Sequence, residues 1–124
     1  MTENNMKIIL QKETEHEIQT LIIEYLRRKK FYVLRLNAGS YPTKTGYVRG
    51  VEAGTPDLMA LKKEVITDDI GGDSGYLSQL YFFDVKVPGN KPTPIQEHKL
   101  TELKEYGANC YVVHSLEEVQ DIII

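Results

Sequence analysis

Residues 80–87, LYFFDVKV, constrain this chain more than any other stretch. The run is aromatic and β-branched and predicts a strand, in which residues two apart share a face, so Asp84 and Lys86 stand side by side. Upstream, Gly54-Thr55-Pro56-Asp57 brackets a turn between Gly and Pro and delivers Asp57 to the start of a second apolar run, residues 58–61. The simplest arrangement makes that run the neighbouring strand of a hairpin. Residues 67–75, TDDIGGDSG, are rich in Gly and Asp and read as the flexible connection between the two strands. The carboxylates of Asp57 and Asp84 then converge.

Two carboxylates and an ammonium are what a divalent cation and a phosphodiester require together. Mg²⁺ takes all-oxygen octahedral coordination and keeps several waters, so one or two carboxylates suffice. Asp57, Asp84 and the carbonyl of Val85 form the expected protein share. Lys86 is placed to orient an attacking water and to neutralise charge on the transition state. An isolated Asp-x-Lys is equally the pattern of an exposed ion pair on an edge strand, which contributes little. The Asp-rich connection does not match a calcium loop, because the spaced oxygen ligands and the glutamate at the twelfth position are out of register.

Along the chain, residues 1–12 form a possible arm without a defined element. A helix is predicted from Thr14 to about Lys30, with Ile18, Leu21, Ile22, Tyr25 and Leu26 as one apolar stripe and Thr14-Glu15-His16-Glu17 as a capping box. At 100° per residue, Glu15 falls roughly 60° from the stripe centre and Glu17 roughly 100°, so Glu15 is the acid that faces inward. Gln19 lies one turn later on the same side, and His16 reads as a surface residue. Residues 31–36 are a strand by composition. Residues 37–40 then open a loop carrying Tyr41, Lys44, Tyr47 and Arg49, whose interleaved aromatic and basic side chains suit stacking on bases and holding phosphates. The same residues also suit a plain exposed turn.

Thr93-Pro94-Ile95-Gln96 opens a second helix with an N-cap, a proline at the first position and Gln96 at the third. Leu100, Leu103 and Tyr106 continue it inward, and Gly107 ends it. Residues 109–114 read as a buried strand, and Ser115-Leu116-Glu117-Glu118 as a second capping box before a short terminal helix.

At 124 residues, with 41% hydrophobic and 27% charged, the chain predicts a single domain over 1–124 with a modest core. Apolar runs fall short of the roughly 20 residues that span a bilayer, and the polar residues 1–7 lack a secretory apolar region, so a cytoplasmic protein is expected. One cysteine, Cys110, excludes an internal disulfide and cysteine-based zinc binding. The net charge of −3 argues against a protein that coats nucleic acid through a wholly basic surface, leaving room for a local basic rim.

Gly-Thr-Pro-Asp-Leu, then Asp-Val-Lys, then Pro-Ile-Gln at a helix start together resemble the virus-type replication-repair nuclease domain (VRR-NUC) of the PD-(D/E)xK superfamily, from about Glu15 to Glu118. The resemblance implies an α/β fold, a restriction-endonuclease-like mixed β-sheet flanked by α-helices. It implies Mg²⁺- or Mn²⁺-dependent hydrolysis of DNA, with Asp57 and Asp84 as metal ligands, Lys86 catalytic, and Glu15 and Gln96 assisting, Glu15 as an additional metal-site or water-positioning carboxylate. Asn37 and Arg49 match positions of the pattern, and Lys91 and Thr93 join Lys44 as expected phosphate contacts. The acid before Val-Lys is Asp84, where this family more often has Glu; its shorter arm draws a metal closer to the strand. Small members resemble Holliday-junction resolvases and act as homodimers on branched DNA in replication and repair, as phage or bacterial stand-alone proteins. An RNA-directed nuclease, or an inactive DNA-binding module of the same fold, are the alternatives.

Overall fold

The computed structural model describes residues 13–36 and 40–124. The possible arm at residues 1–12 lies outside them. Helix α1 (Glu15–Arg28) starts where the Thr14 capping box dictates: the Thr14 hydroxyl accepts from the Glu17 N–H at 3.1 Å, and the Glu17 carboxylate accepts from the Thr14 N–H at 3.4 Å. Its last turn carries Arg27 and Arg28, which suit the negative end of the helix dipole. Strands β1 (Tyr32–Arg35), β4 (Leu58–Thr67) and β5 (Asp73–Val85) follow, interrupted by β2 (Ser40–Thr43) and β3 (Gly46–Arg49). Helix α2 (Pro94–Glu105), strand β6 (Asn109–Val113) and helix α3 (Leu116–Ile122) complete the chain.

The main sheet has the order β1-β4-β5-β6. β1 and β5 run antiparallel to β4, and β6 runs parallel to β5, so α2 is the crossover between the two parallel strands. This is the mixed, helix-flanked sheet that the sequence predicts. Alternation along the strands sorts two cores. Leu58, Ala60, Phe83, Val85, Val33 and Val113 pack with Ile18, Ile22 and Leu26 of α1 and Val119 of α3. On the other face, Phe82, Met59, Leu80, Val112 and Cys110 pack with Leu100 and Leu103 of α2. Each fully buried Leu, Ile or Phe contributes about 1.5–3 kcal/mol, so the larger cluster on the α1 face holds the sheet in place. Cys110 is buried, and that burial raises its thiol pKa.

Three expectations need correction. The segment carrying Tyr41, Lys44, Tyr47 and Arg49 is not a loop but the antiparallel hairpin β2–β3, with Ser40 opposite Arg49 and Thr43 opposite Gly46. Tyr106 does not continue the inward face of α2 but is 92% exposed, because the helix has ended at Glu105 and Gly107, at φ 93°, turns the chain away toward β6. Ser115 caps α3 alone: Glu118 reaches past it to accept the His114 N–H at 2.8 Å, so the second capping box does not close.

β4 and β5 outrun their neighbours. β1 pairs only with Leu58 to Leu61, and β6 only with Tyr81 to Val85. The remainder, Lys62 to Thr67 against Asp73 to Gln79, projects as a two-stranded arm with Val65, Tyr76, Ile66 and Leu77 exposed on its faces. At its tip the Asp68 carboxylate accepts the N–H groups of Ile70 and Gly72, which gives this aspartate a turn-forming role.

Candidate active site

The turn before β4 is built by close contact with α2. Gly54 has φ 87°, and a Cβ there would lie 2.5 Å from the Ile95 Cγ2 and 3.0 Å from the Ile95 carbonyl oxygen. Thr55 closes the turn with its N–H and hydroxyl on the Glu52 carbonyl, at 3.2 and 2.7 Å. Lys99 of α2 donates to the Glu52 carboxylate at 2.6 Å and so fastens the turn from the outside. The Lys99 ammonium is therefore occupied within the protein. Pro56 is fully buried, and Asp57 emerges from the turn with its carbonyl accepting the Leu36 N–H at 2.7 Å.

From there the Asp57 carboxylate crosses to β5, where it accepts the Val85 N–H at 2.7 Å. Asp84, the residue before, is 1% exposed, and among the described residues neither of its carboxylate oxygens has a hydrogen-bond donor. The Lys86 ammonium lies 4.0 Å from Asp84 Oδ1. Burial is the main reason the Asp84 pKa rises to about 7; Lys86 opposes the rise, while Asp57, within hydrogen-bond reach, and Glu15 add to it. Glu15 is half-buried at the start of α1, and its pKa is raised by desolvation first and by Asp57 second, with Lys86 acting against them. Glu17 is exposed, and its carboxylate accepts the Thr14 N–H in the helix cap. The structure therefore gathers Glu15, Asp57, Asp84 and Lys86 from three elements.

A buried carboxylate without a donor, against a second carboxylate, is expensive unless a proton or a cation intervenes. That donor set fits a small hard cation. Among the described residues no three His, Cys, Asp or Glu side chains are gathered as a ligand cage, so Glu15 neighbours the two aspartates through charge and not as a third ligand beside them.

Of the other expected site residues, Lys91, Thr93 and Gln96 sit at the start of α2, beside the Gly54 turn, and Lys44 sits in the β2–β3 turn. Gln96 closes the α2 capping box, its side-chain oxygen accepting the Thr93 N–H at 2.8 Å, while the Thr93 hydroxyl accepts the Gln96 N–H at 3.3 Å. Lys44 is exposed in the turn between β2 and β3, and Lys91 is exposed just ahead of α2. Asn37 lies outside the described residues, as does the side chain of Arg49. Sequence reasoning passed over the contact between Arg35 and α1: Arg35 Nη1 lies 3.3 Å from both ring nitrogens of His16, and Nη2 donates to the Thr20 hydroxyl at 3.1 Å. Its only sequence signal was a basic residue at the end of β1.

Two solved structures share this architecture. One, described as a VRR_NUC domain, aligns over 88% of this chain and 92% of its own with a TM-score of 0.57 and 22% identity. The fold is that of a VRR_NUC domain. The other, a VRR_NUC domain protein, aligns over 91% of this chain and 87% of its own, with a TM-score of 0.58 and 22% identity. No family model and no curated protein matches the sequence. In this VRR_NUC fold the Gly54 turn and the end of β5 bring the two aspartates together, and α1 brings Glu15 to them. Among the described residues no helix is long and apolar enough to cross a membrane.

Proposed function

We propose that the chain is a metal-dependent DNA endonuclease of the VRR-NUC family. The observation that carries this reading is the buried Asp84 carboxylate, without a hydrogen-bond donor of its own, held against Asp57 and beside Lys86. Asp57 and Asp84, with the Val85 carbonyl, would hold Mg²⁺ or Mn²⁺. A bound ion of this kind would supply Lewis-acid polarisation of the phosphodiester and make the attacking water more acidic. Lys86 orients that water and offsets negative charge growing on the phosphoryl oxygens. Glu15, whose charge acts on Asp57, Asp84 and Lys86, would serve as a further water-positioning carboxylate. As the water oxygen bonds to phosphorus and releases a proton to solvent, the bond from phosphorus to the leaving sugar oxygen breaks and that oxygen takes up a proton from solvent. Gln96 keeps its side-chain N–H groups for the substrate, its oxygen being committed to the cap. Asn37, Lys44, Arg49, Lys91 and Thr93 contact the DNA backbone around the site.

Within this reading the enzyme works in the cytoplasm of a bacterium or phage-infected host, as a homodimer cutting branched, Holliday-junction-like DNA during replication and repair. Two symmetric cuts need two sites, which a two-fold dimer provides. The projecting arm supports the dimer, because Tyr76 and Leu77, 60% and 54% exposed, offer apolar surface beyond the chain's own core. Tyr76→Asp with Leu77→Asp is expected to convert a dimer into a folded monomer by light scattering; an unchanged mass would place the interface elsewhere.

The activity test compares native protein with Lys86→Ala on a labelled four-way junction, linear duplex, single strand and RNA, with Mg²⁺, Mn²⁺ or EDTA. Paired junction nicks that require metal and fall about 10²–10³-fold in the variant are expected. Cleavage restricted to RNA would replace the substrate, and absence of metal-dependent cleavage of any nucleic acid would overturn the reading.

A further inference from the structure

Arg35 is held in an unusual way for an arginine at a strand end. Equal distances of 3.3 Å from Nη1 to both ring nitrogens of His16 place the guanidinium over the ring face, since an in-plane approach at that spacing would collide with the ring carbon between them. Nη2 donates to the Thr20 hydroxyl, which in turn donates to the His16 carbonyl at 3.0 Å. These partners are neutral when His16 is unprotonated, and among the described residues neither Arg35 nor Arg27 has a carboxylate within ion-pair distance. The two arginines line a hollow of about 380 Å³ between α1 and β1, together with Thr20, Ile23 and Glu24. Glu24 is the single acid there, so the hollow is net positive. A preset guanidinium with unused donors is matched by the oxygens of a phosphate.

Its position relative to the carboxylates follows from the register. Arg35 pairs with Leu58, the residue after Asp57, and Leu58 pairs with Phe83, the residue before Asp84. At about 4.8 Å per strand, the Arg35 backbone stands roughly 10 Å across the sheet from that of Phe83, the neighbour of Asp84 in β5. His16, under the guanidinium, adjoins Glu15.

We propose that the α1–β1 hollow is a seat for a non-scissile phosphate of the bound DNA, with Arg35 as its bidentate donor, Arg27 as a second cation, and His16 and Thr20 as the residues that hold the guanidinium in place. The proposal rests on the nucleic-acid reading of the neighbouring carboxylates and assigns a strand path from that centre along α1 toward its last turn, where Arg27 lies. Seating a second phosphate fixes the register in which the scissile one is presented.

The test measures binding separately from cleavage. Fluorescence anisotropy of a labelled DNA duplex, in EDTA and from 50 to 200 mM salt, compares native protein with Arg35→Gln, Arg35→Lys, Arg27→Gln and, at the far end of α2, Lys104→Gln. Arg35→Gln is expected to weaken binding about 5–10-fold and to reduce the slope of log affinity against log salt by about 1. Arg35→Lys should keep the slope and recover only part of the affinity, because an ammonium has no bidentate fork. Arg35 is exposed, so these variants fold, and circular dichroism checks it. Native affinity and slope in Arg35→Gln, or an equal loss in Lys104→Gln, would overturn the seat. If Lys86→Ala abolishes cleavage while Arg35→Gln binds normally, the seat alone falls. If Arg35→Gln loses binding but no nucleic acid is cut, the seat stands and the hydrolase reading falls. A native protein that binds no DNA removes both.

Discussion

Asp84→Asn is expected to lose at least 10³-fold in cleavage and, in the absence of metal, to be more stable than the native protein at pH 8. Both effects come from one carboxylate. Asp84 is buried without a donor among the described residues, and its pKa in the folded chain stands at about 7, well above the ordinary carboxylate value near 3.9. Between those values the folded state keeps a proton that the unfolded state has released, so folding stability falls as pH rises from about 4 and levels off above about 7. Below pH 4 both states are protonated and this contribution is complete. Ionising the group inside the fold costs roughly 2–4 kcal/mol at pH 8, which for a domain of this size is on the order of 10 °C in Tm. Asparagine carries no charge and avoids that cost. The Tm difference between variant and native should therefore be small at pH 4 and grow through pH 7. Adding Mg²⁺ at pH 8 should raise the native Tm and leave the Asp84→Asn Tm unmoved, since a ligand that binds only the folded state stabilises by mass action. Thermal scans at pH 4, 6 and 8, with Mg²⁺ or EDTA, check each part. A variant less stable than native at pH 8 without metal would mean that Asp84 is held by interactions other than those described.

The parts of this arrangement that local chemistry determines were legible from residues. Thr14 and Glu17 fix the start of α1, and with it the inward aim of Glu15, because capping is decided within four residues. Asp84 and Lys86 share a face because a strand alternates, and Gly54 marks a turn because a positive φ favours glycine. What escaped depends on distance in sequence or on weak patterning. β2 and β3 are four residues each, with Pro42 inside one of them, too short for alternation to separate strands from loop. The arm of β4 and β5 is exposed on both faces, so Lys62, Lys63 and Glu64 break the alternation that burial imposes closer to the core. The Arg35 contact joins residues 15 and 19 positions apart on different elements, which no local rule reaches. Such contacts are set by how α1 lies on the sheet, and that is fixed by Ile18, Ile22 and Leu26 rather than by the residues that meet.

Gly54→Ala is expected to cost about 2–3 kcal/mol of stability and about 10²-fold in cleavage, although Gly54 itself carries no chemistry. An alanine at φ 87° adopts the left-handed region at a cost of roughly 1–2 kcal/mol. Its Cβ would also lie 2.5 Å from Ile95 Cγ2 and 3.0 Å from the Ile95 carbonyl oxygen. The Ile95 side chain is 61% exposed and can rotate away, but the carbonyl belongs to the first turn of α2 and moves only if the helix start moves with it. Part of the loss is therefore relieved by Ile95→Ala and part is not, which the double variant measures. The turn that Gly54 permits also sets Asp57 three residues later, and a displacement of about 1 Å in a reacting group can cost 10²-fold. Urea unfolding gives the stability change, and cleavage at saturating Mg²⁺ gives the activity change. A Gly54→Ala protein within 0.5 kcal/mol of native would show that the turn tolerates a side chain and that Asp57 is held by its bond to Val85 instead. Full stability with lost cleavage would separate the two roles, leaving the turn as a device for aiming the carboxylate rather than for holding the fold.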